Sequence, residues 1–413
     1  MSQLLTLLDL ERAQAFYRDG HWQQDTLYKR LRHWAKTHPD RPALSDMQAR
    51  LSWGELLRCV DSVAADLVAA GLREGDRVSI WLPNRIETAV LMLACSRMGF
   101  ICNTSLHRDY TCAEVIALLQ RAGSAAFFYQ EGFGADADRH DIHGMLGVLP
   151  ALKKVVVLRR SGELPAEHSF GLGFPITQCA RTDQAWRETP DRVVYLAFTS
   201  GTTGHPKGVM HSDNTLFANA RAICADFSFD ADTVVYAMSP LSHNMGIVGL
   251  IVTLVCGGHF VAHTPLDPQK TIDRIIETGG SYLVGVPTHA IDLVAEAHRR
   301  GLQKLGRVSA FQLGGSPIPS QTVSALIALG VTLQNAFGMT ENCSFQYTRA
   351  TDDVETIVET CGRACSGMEM SIWDSENQDI RLGAGQIGEM ACRGASLMLG
   401  YFGDQHSTER SFN

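Results

Sequence analysis

A ten-residue stretch rich in hydroxyl groups and glycine carries the strongest chemical signal in this sequence. It reads Thr199-Ser200-Gly201-Thr202-Thr203-Gly204-His205-Pro206-Lys207-Gly208 and follows an apolar segment, 193–198, with the pattern of a buried strand. Its glycines allow positive φ and close approach of the backbone to an anion. Its four hydroxyls and one ammonium can bind phosphate oxygens, a density that an ordinary polar turn does not need. We interpret the stretch as a phosphate-binding loop.

This loop differs from the phosphate loop of kinases and motor NTPases. In that motif the lysine follows a glycine, precedes a serine or threonine, and opens a helix. Here Pro206 precedes Lys207 and Gly208 follows it. The sequence therefore argues against those enzyme classes.

A second candidate segment, Asn335-Ala336-Phe337-Gly338-Met339-Thr340-Glu341, lies at the end of a predicted strand. Phe337 offers a flat face for a purine, Thr340 a hydroxyl for phosphate, and Glu341 a hard oxygen ligand suited to Mg²⁺. Alone, an aromatic-glycine turn with an acid is equally compatible with an ordinary loop. A third piece, Leu313-Gly314-Gly315-Ser316-Pro317, is by itself only a turn.

Helix and strand patterns alternate on both sides of these segments. Ser52 and Glu55 form a capping-box pair, and Asp213 or Asn214 is expected to cap the helix after the loop. Predicted strands and helices follow in the order 77–82, 87–98, 268–276, 282–286, 287–299, 311–313, 320–329 and 331–337. This alternation predicts parallel sheets with crossover helices. Ligands bind beyond the carboxyl ends of such strands, so the site should form after Phe198, Val286, Leu313 and Phe337.

Short alternating segments separated by glycines, at 369–400, predict a small β-rich unit. We therefore expect an α/β fold with two helix-flanked sheet subdomains in layers and a small distorted β-barrel. The apolar stretch 245–260 is short and interrupted by glycines, so it predicts a buried helix and a strand rather than a membrane span.

Composition narrows the functional classes. The 413 residues are 45% apolar and 19% charged, as in globular proteins with an extensive core. A net charge of -8 argues against binding nucleic acid through phosphate neutralisation. Eleven irregularly spaced cysteines, and an amino terminus without a basic and then apolar segment, predict a reducing, cytoplasmic location.

Together these pieces resemble one family. The phosphate loop, the Gly-Gly-Ser-Pro turn, the Phe-Gly-Met-Thr-Glu segment and a later Gly388-Glu389…Arg393-Gly394…Gly400-Tyr401 stretch occur in the order found in adenylate-forming acyl-CoA synthetases. This superfamily includes luciferases and the adenylation domains of peptide synthetases. The opening segments 38–44, 51–53 and 75–78 fit as well. On this resemblance, residues 1–413 correspond to an N-terminal adenylation domain of interleaved subdomains.

The resemblance assigns roles to these segments. It implies catalytic roles for Thr199, Lys207, Thr340 and Glu341, with Glu341 as the Mg²⁺ ligand. ATP or AMP would contact Thr199, Ser200, Gly201, Thr202, Thr203, Gly204, Lys207, Gly314, Gly315, Ser316, Asn335, Ala336, Phe337, Gly338 and Thr340. A carboxylate would attack the α-phosphorus of ATP and expel pyrophosphate, and coenzyme A would then take the acyl group. Protein groups would act mainly by positioning and by stabilising charge.

The resemblance also locates the acyl pocket, at His243, Asn244, Met245, Val286, Gly338 and Met339. Relatives that activate amino acids carry an aspartate near His243, and none stands here. A buried ammonium without a counter-charge is costly, which argues against an α-amino acid. Relatives that activate acetate carry a bulky aromatic residue where Gly338 stands. We therefore expect a medium-chain or alicyclic acid, with Met245 and Met339 as adaptable liners.

Two departures from the family bear on these expectations. Asn103-Thr104-Ser105-Leu106-His107 replaces the usual proline-containing run. The sequence stops at Asn413, before the family's ribose-binding segment and the small domain that carries a catalytic lysine. We expect a carboxylate–CoA ligase whose partners are ATP, Mg²⁺, coenzyme A and a small acid, with no nucleic acid and no membrane span. A homodimer, transfer of the acyl group to a carrier protein, and a binding module with little turnover are left open.

Overall fold

The computed structural model describes residues 5–160, 189–199, 206–264 and 267–412. The strands, numbered along the chain, are β1 (Pro42–Ser45), β2 (Arg50–Ser52), β3 (Arg77–Trp81), β4 (Ile101–Asn103), β5 (Ser124–Gln130), β6 (Lys154–Leu158), β7 (Val193–Thr199), β8 (Lys207–Ser212), β9 (Val234–Ala237), β10 (His259–Ala262), β11 (Tyr282–Gly285), β12 (Ala310–Gly314), β13 (Thr332–Met339), β14 (Cys343–Tyr347), β15 (Arg363–Ala364), β16 (Met368–Trp373) and β17 (Glu389–Gly394).

The helices alternate with these strands. They are α1 (Leu10–Arg18), α2 (Leu27–Thr37), α3 (Trp53–Ala69), α4 (Ile86–Met98), α5 (Cys112–Ala122), α6 (Ile142–Met145), α7 (Asp213–Phe227), α8 (Asn244–Cys256), α9 (Pro268–Thr278), α10 (Pro287–Arg299), α11 (Ser320–Ala328), α12 (Val354–Glu359) and α13 (Gln405–Ser411), with a short 3-10 turn at Leu146–Val148.

Two large sheets form the body of the fold. The first has the strand order β15-β14-β13-β12-β11-β9-β10-β1-β2, and the second has the order β6-β5-β3-β4-β7-β8. Inner strands pair in parallel, while β2, β14, β15 and β8 pair antiparallel at the edges. The inner strands are almost continuously apolar and buried because helices cover the sheets. The predicted α/β class with helix-flanked parallel sheets is confirmed.

The first sheet joins distant parts of the chain. Its strand β1 pairs in parallel with β10, with Leu44 opposite Phe260. The buried amide of Asn84, which follows β3 of the second sheet, donates to His263 O (2.9 Å) and to Ala237 O (3.2 Å). These contacts fix the two sheets against each other at the carboxyl ends of their strands.

The predicted local elements near the site form as expected. The Ser52–Glu55 capping box starts α3, with Ser52 N donating to Glu55 Oε2 over 2.8 Å. The apolar stretch 245–260 becomes the buried helix α8 followed by β10. No helix in the described part of the chain is long and apolar enough to cross a membrane.

The segment 369–400 contains the small antiparallel unit. Strands β16 and β17 pair from Met368 opposite Gly394 to Trp373 opposite Glu389. Residues 374–388 between them form turns and one isolated bridge, Trp373 to Arg381. Within the described residues the unit is therefore a two-stranded antiparallel sheet of β16 and β17.

Residues 398–402 add a further antiparallel segment to the edge of the second sheet. Leu399 N donates to Met210 O (2.8 Å), Met210 N donates to Gly400 O (3.0 Å), and Phe402 N donates to Gly208 O (2.6 Å). The 398–402 segment therefore runs along the whole start of β8, the strand that leaves the predicted phosphate loop.

The start of α7 differs from the prediction. Ser212 caps this helix, with its Oγ accepting from Thr215 N over 3.2 Å, so neither Asp213 nor Asn214 is the cap. Asp213 is fully buried, and its Oδ1 accepts from Leu27 N (2.7 Å) and Ser96 Oγ (3.2 Å). Burial raises the pKa of Asp213 to about 7, so this carboxyl takes up a proton more readily in the folded chain than in the unfolded one.

A change of Asp213 to Asn should therefore alter how stability depends on pH. A raised folded-state pKa contributes stability that is present at low pH and is lost as pH rises through about 7. Asp213→Asn stays neutral, so its stability relative to wild type should improve by about 1–3 kcal/mol between pH 5 and pH 8. Urea unfolding at both pH values measures this difference, and an equal effect at both would contradict it.

Candidate active site

The structure describes the two ends of the predicted phosphate loop. Residues Ser200, Gly201, Thr202, Thr203, Gly204 and His205 lie outside the described residues. Its ends are Thr199, the last residue of β7, and Lys207, the first of β8, which stand opposite each other in the ladder. Arg121 Nη1 donates to Pro206 O and fixes the returning end. The sequence predicted β7, and the structure adds the antiparallel return strand β8.

Lys207 and Glu341, the two charged catalytic candidates, meet through one tyrosine. The Lys207 ammonium lies 5.0 Å from the centre of the Tyr401 ring, a cation–π distance. The Tyr401 hydroxyl donates to Glu341 Oε1 over 2.8 Å. Burial, and next the Glu341 charge, raise the pKa of Tyr401 well above its usual value, so the phenol keeps its proton and remains a donor.

Thr340 and Glu341 occupy the turn between β13 and β14. His211 Nε2 donates to Thr340 O over 2.7 Å, and Met398 N donates to Glu341 O over 2.7 Å. Asn342 Oδ1 closes the turn by accepting from Met339 N (2.7 Å). The side chains of Thr340 and Glu341 are partly exposed. Their backbone carbonyls accept hydrogen bonds from His211 of β8 and from Met398 of the 398–402 segment.

His211 is a neutral histidine at neutral pH. It is fully buried, and burial lowers its pKa to about 4. Its Nε2 carries the proton because it faces a carbonyl oxygen, and its Nδ1 lies 3.0 Å from Thr215 Oγ1. The ring therefore acts as a fixed link between β8 and Thr340.

One wall of the candidate site contains three of the predicted contact residues, Gly314, Ala336 and Met245. Gly314 and Ala336 are neighbours in the β12–β13 ladder. A Cβ at Gly314 would lie 2.9 Å from Ala336 O and 2.9 Å from Met245 Cε, so nucleotide-side and acyl-side candidates converge here. Gly315 and Ser316 continue from this wall and are exposed.

Phe337 and Asn335 differ in their availability. Phe337 is half-buried, with its ring 6.0 Å from that of Phe345 in an edge-on arrangement. Asn335 is buried, and its amide donates to Ile357 O and Thr360 O, both over 2.9 Å. Because both amide hydrogens hold α12 against β13, Asn335 supports the wall rather than presenting donors to a nucleotide.

Gly338 has a different explanation from the one that the sequence suggested. A Cβ at this position would overlap Cys343 O, because β13 and β14 pair irregularly between Phe337 and Met339. A glycine is required here because the backbones of β13 and β14 approach closely. Its presence is therefore not by itself evidence of a wider pocket. Met339 is 48% exposed, so its side chain is not an enclosed liner.

The acyl-side candidates cluster at the start of α8. The exposed His243 caps this helix, and its ring centre lies 6.3 Å from that of His107. His107 Nδ1 lies 3.3 Å from Ser242 Oγ, and burial, followed by the neighbouring His243, lowers the pKa of His107. Asn244 is buried, and its Oδ1 has no hydrogen-bond partner among the described residues.

Val286 marks the next loop of the site. It directly follows β11 and precedes α10, at the carboxyl end of a parallel strand, as predicted. Its N–H lies 3.3 Å from His289 Nδ1, which fixes the start of the helix. Val286 is half-buried and therefore lies at the margin of the core.

Sequence reasoning missed two residues of this site, Tyr401 and His211. Tyr401 was visible only as part of a glycine-tyrosine pair in the family resemblance, far along the chain from Lys207 and Glu341. His211 follows Lys207 closely, yet only the fold shows that its ring reaches Thr340.

Known proteins are similar to this chain over most of its length. The profile of the AMP-binding enzyme family matches residues 31–402. The medium-chain fatty-acid–CoA ligase of Escherichia coli K12 is 26% identical over 415 residues, covering 100% of this chain and 72% of that protein. A salicylyl-CoA synthase/salicylate adenylyltransferase of a Streptomyces species is 30% identical, covering 97% of this chain and 73% of that protein.

A solved structure shows the same architecture. The apo structure of MbtA from Mycobacterium smegmatis superposes with a TM-score of 0.83 at 27% identity, and the match covers 99% of this chain and 74% of that one. Sequence profile, relatives and fold therefore agree over nearly the whole chain. The chain belongs to the AMP-binding enzyme family, which includes acyl-CoA ligases and carboxylate-adenylating enzymes.

Proposed function

We propose that this protein is an AMP-forming acid–thiol ligase, which converts a carboxylic acid and ATP into an acyl adenylate and pyrophosphate, and then into an acyl-CoA. The observation that supports this best is the convergence of Lys207 and Glu341 on Tyr401, beside Thr340. A cation, a hydroxyl and a hard-oxygen carboxylate at one place match the needs of a triphosphate.

The side chains of this site would act mainly through charge and position. The Lys207 ammonium and the hydroxyls of Thr199 and Thr340 can stabilise negative charge that develops on phosphoryl oxygens. The substrate carboxylate attacks the α-phosphorus in line, and the walls around Gly314 and Met245 hold it there. Glu341 fits a Mg²⁺ ligand, because its carboxylate is partly exposed and oriented by Tyr401. When bound, that ion would neutralise phosphate charge.

The acid is proposed to be medium-chain or alicyclic. Support comes from the apolar Met245 beside Gly314, from the lack of an acidic residue in segment 240–246, and from similarity to the Escherichia coli ligase. A buried substrate ammonium would have no counter-charge within that segment, which disfavours amino acids.

Asn244 favours a second candidate, an aryl acid that bears a hydroxyl. Its buried Oδ1 has no hydrogen-bond partner in the described part of the chain, and leaving such an acceptor unpaired costs about 1–3 kcal/mol. A hydroxyl on the acid could donate to it. The Streptomyces relative, named for salicylate, supports this candidate.

Acid-dependent ATP–pyrophosphate exchange separates the two candidates. The panel is acetate, hexanoate, cyclohexanecarboxylate, benzoate and salicylate, assayed with wild type and Asn244→Leu. If Asn244 pairs with a substrate hydroxyl, salicylate should exceed benzoate roughly tenfold, and the variant should lose that ratio. Preference for hexanoate, unchanged in the variant, would support the apolar acid, and preference for acetate would contradict both.

The acceptor of the acyl group is a separate question. We propose free coenzyme A, which the names of the Escherichia coli and Streptomyces relatives support, with a phosphopantetheinyl carrier protein as the alternative. Mass spectrometry of thioesters formed with each acceptor, offered together, distinguishes them.

A further inference from the structure

The ring of Tyr401 lies between the two charged candidates of the site. It is 6% exposed, with Lys207 over its face and Glu341 at its hydroxyl. Lys207 enters from the second sheet, while Glu341 follows the last long strand of the first sheet. Tyr401 is therefore in contact with one group from each sheet.

The backbone around Tyr401 is fixed on all sides. Tyr401 N donates to Thr408 Oγ1 over 2.9 Å, and its neighbours Gly400 and Phe402 bond to β8. The Glu341 carbonyl is bound by Met398 N, from the same segment. Because the 398–402 segment is bonded to β8 and to Glu341 at once, the backbone of Tyr401 is held relative to the strand that begins at Lys207 and to the backbone of Glu341.

We propose that Tyr401 is a positioning residue that sets the carboxylate of Glu341 for Mg²⁺ and the ammonium of Lys207 for phosphate. This inference rests on the proposed function. The hydroxyl orients the carboxylate by bonding one oxygen, as outer-shell donors do for ligating carboxylates. The ring holds the ammonium separately, through its face.

These two roles predict two different defects. Tyr401→Phe removes only the hydroxyl and keeps the ring under Lys207. It should raise the Mg²⁺ concentration for half-maximal ATP binding about tenfold or more, without changing ATP binding in EDTA. Tyr401→Leu also removes the ring, and should weaken ATP binding in EDTA about 2- to 10-fold.

Calorimetric titration with a non-hydrolysable ATP analogue, in EDTA and at graded Mg²⁺, measures both defects without turnover. The matched control is Tyr28→Phe, which removes a tyrosine hydroxyl bonded to Asp61 (2.7 Å) between α2 and α3, away from the candidate residues. It should leave both binding curves unchanged. Glu341→Gln tests whether the Tyr401 hydroxyl acts through the Glu341 carboxylate. If it does, the double variant with Tyr401→Phe should show the same Mg²⁺ dependence as Glu341→Gln alone.

The outcomes are distinguishable. Wild-type Mg²⁺ dependence in Tyr401→Phe would overturn the proposal. So would equal losses in EDTA and Mg²⁺ together with a lower melting temperature, because they would indicate a general structural role. If wild type binds no ATP analogue under any condition, the proposed function itself fails.

Discussion

Replacing Lys207 by alanine should lower acid-dependent ATP–pyrophosphate exchange about 100- to 1000-fold. This is the range seen when one preorganised group that stabilises transition-state charge is removed. Lys207 stands opposite Thr199 at the base of the predicted phosphate loop, and its ammonium lies over the Tyr401 ring, a contact that would position it before any substrate binds. Because charge grows on the phosphoryl oxygens during transfer, the rate should fall more than ATP binding.

Lys154→Ala is the matched control for this prediction. Lys154 lies in β6, at the opposite edge of the second sheet, and pairs with Asp66 over 2.9 Å. Its removal should leave exchange and unfolding nearly unchanged, as for most surface ion pairs. Wild-type exchange by a Lys207→Ala protein that melts at the wild-type temperature would show that Lys207 does not act on phosphate.

Changing Gly338 to alanine should destabilise the protein by about 3 kcal/mol or more. A Cβ there overlaps the carbonyl oxygen of Cys343, and a backbone atom cannot move aside as a side chain can. The strain falls on the turn that carries Thr340 and Glu341, so exchange activity should fall as well. Urea unfolding gives the stability change.

Gly144→Ala controls for the added methyl group. Gly144 lies in α6, and a Cβ there would meet nothing within 4 Å, so the variant should be neutral or slightly stabilised. If Gly338→Ala instead keeps full stability and shifts preference toward shorter acids, the original interpretation of Gly338 as a missing pocket wall is correct after all.

The sequence predicted the parts of the site that depend on local pattern. The strands predicted to end at Phe198 and Phe337 form and end at Thr199 and Met339. They and the capping box at Ser52 follow from apolar periodicity and from spacing along the chain. The positions of Gly314 and Ala336 follow from the rule that parallel strands present their carboxyl ends at one edge.

The parts that were missed depend on contacts between distant segments. Residues 398–402 pair with the edge strand β8, and no periodic pattern in the sequence predicts this pairing. The position of Tyr401 beside Lys207 and Glu341 therefore could not be predicted from the sequence. The assignment of Asn335 to the nucleotide stays a prediction, and only the fold shows that its amide donates to Ile357 O and Thr360 O. The assignment of Gly338 to the pocket also stays a prediction, and only the fold shows that the close approach of β13 and β14 requires a glycine there.

The pairing of β1 with β10 has a consequence for synthesis of the protein on the ribosome. Strand β1 is made early, but its neighbour in the first sheet, around Phe260, emerges only some 200 residues later. At roughly 5–20 residues per second, β1 and β2 wait on the order of 10–40 s without that partner. The amino-terminal hairpin is therefore exposed to mispairing during translation, and slow codons before β10 should lower the yield of folded protein.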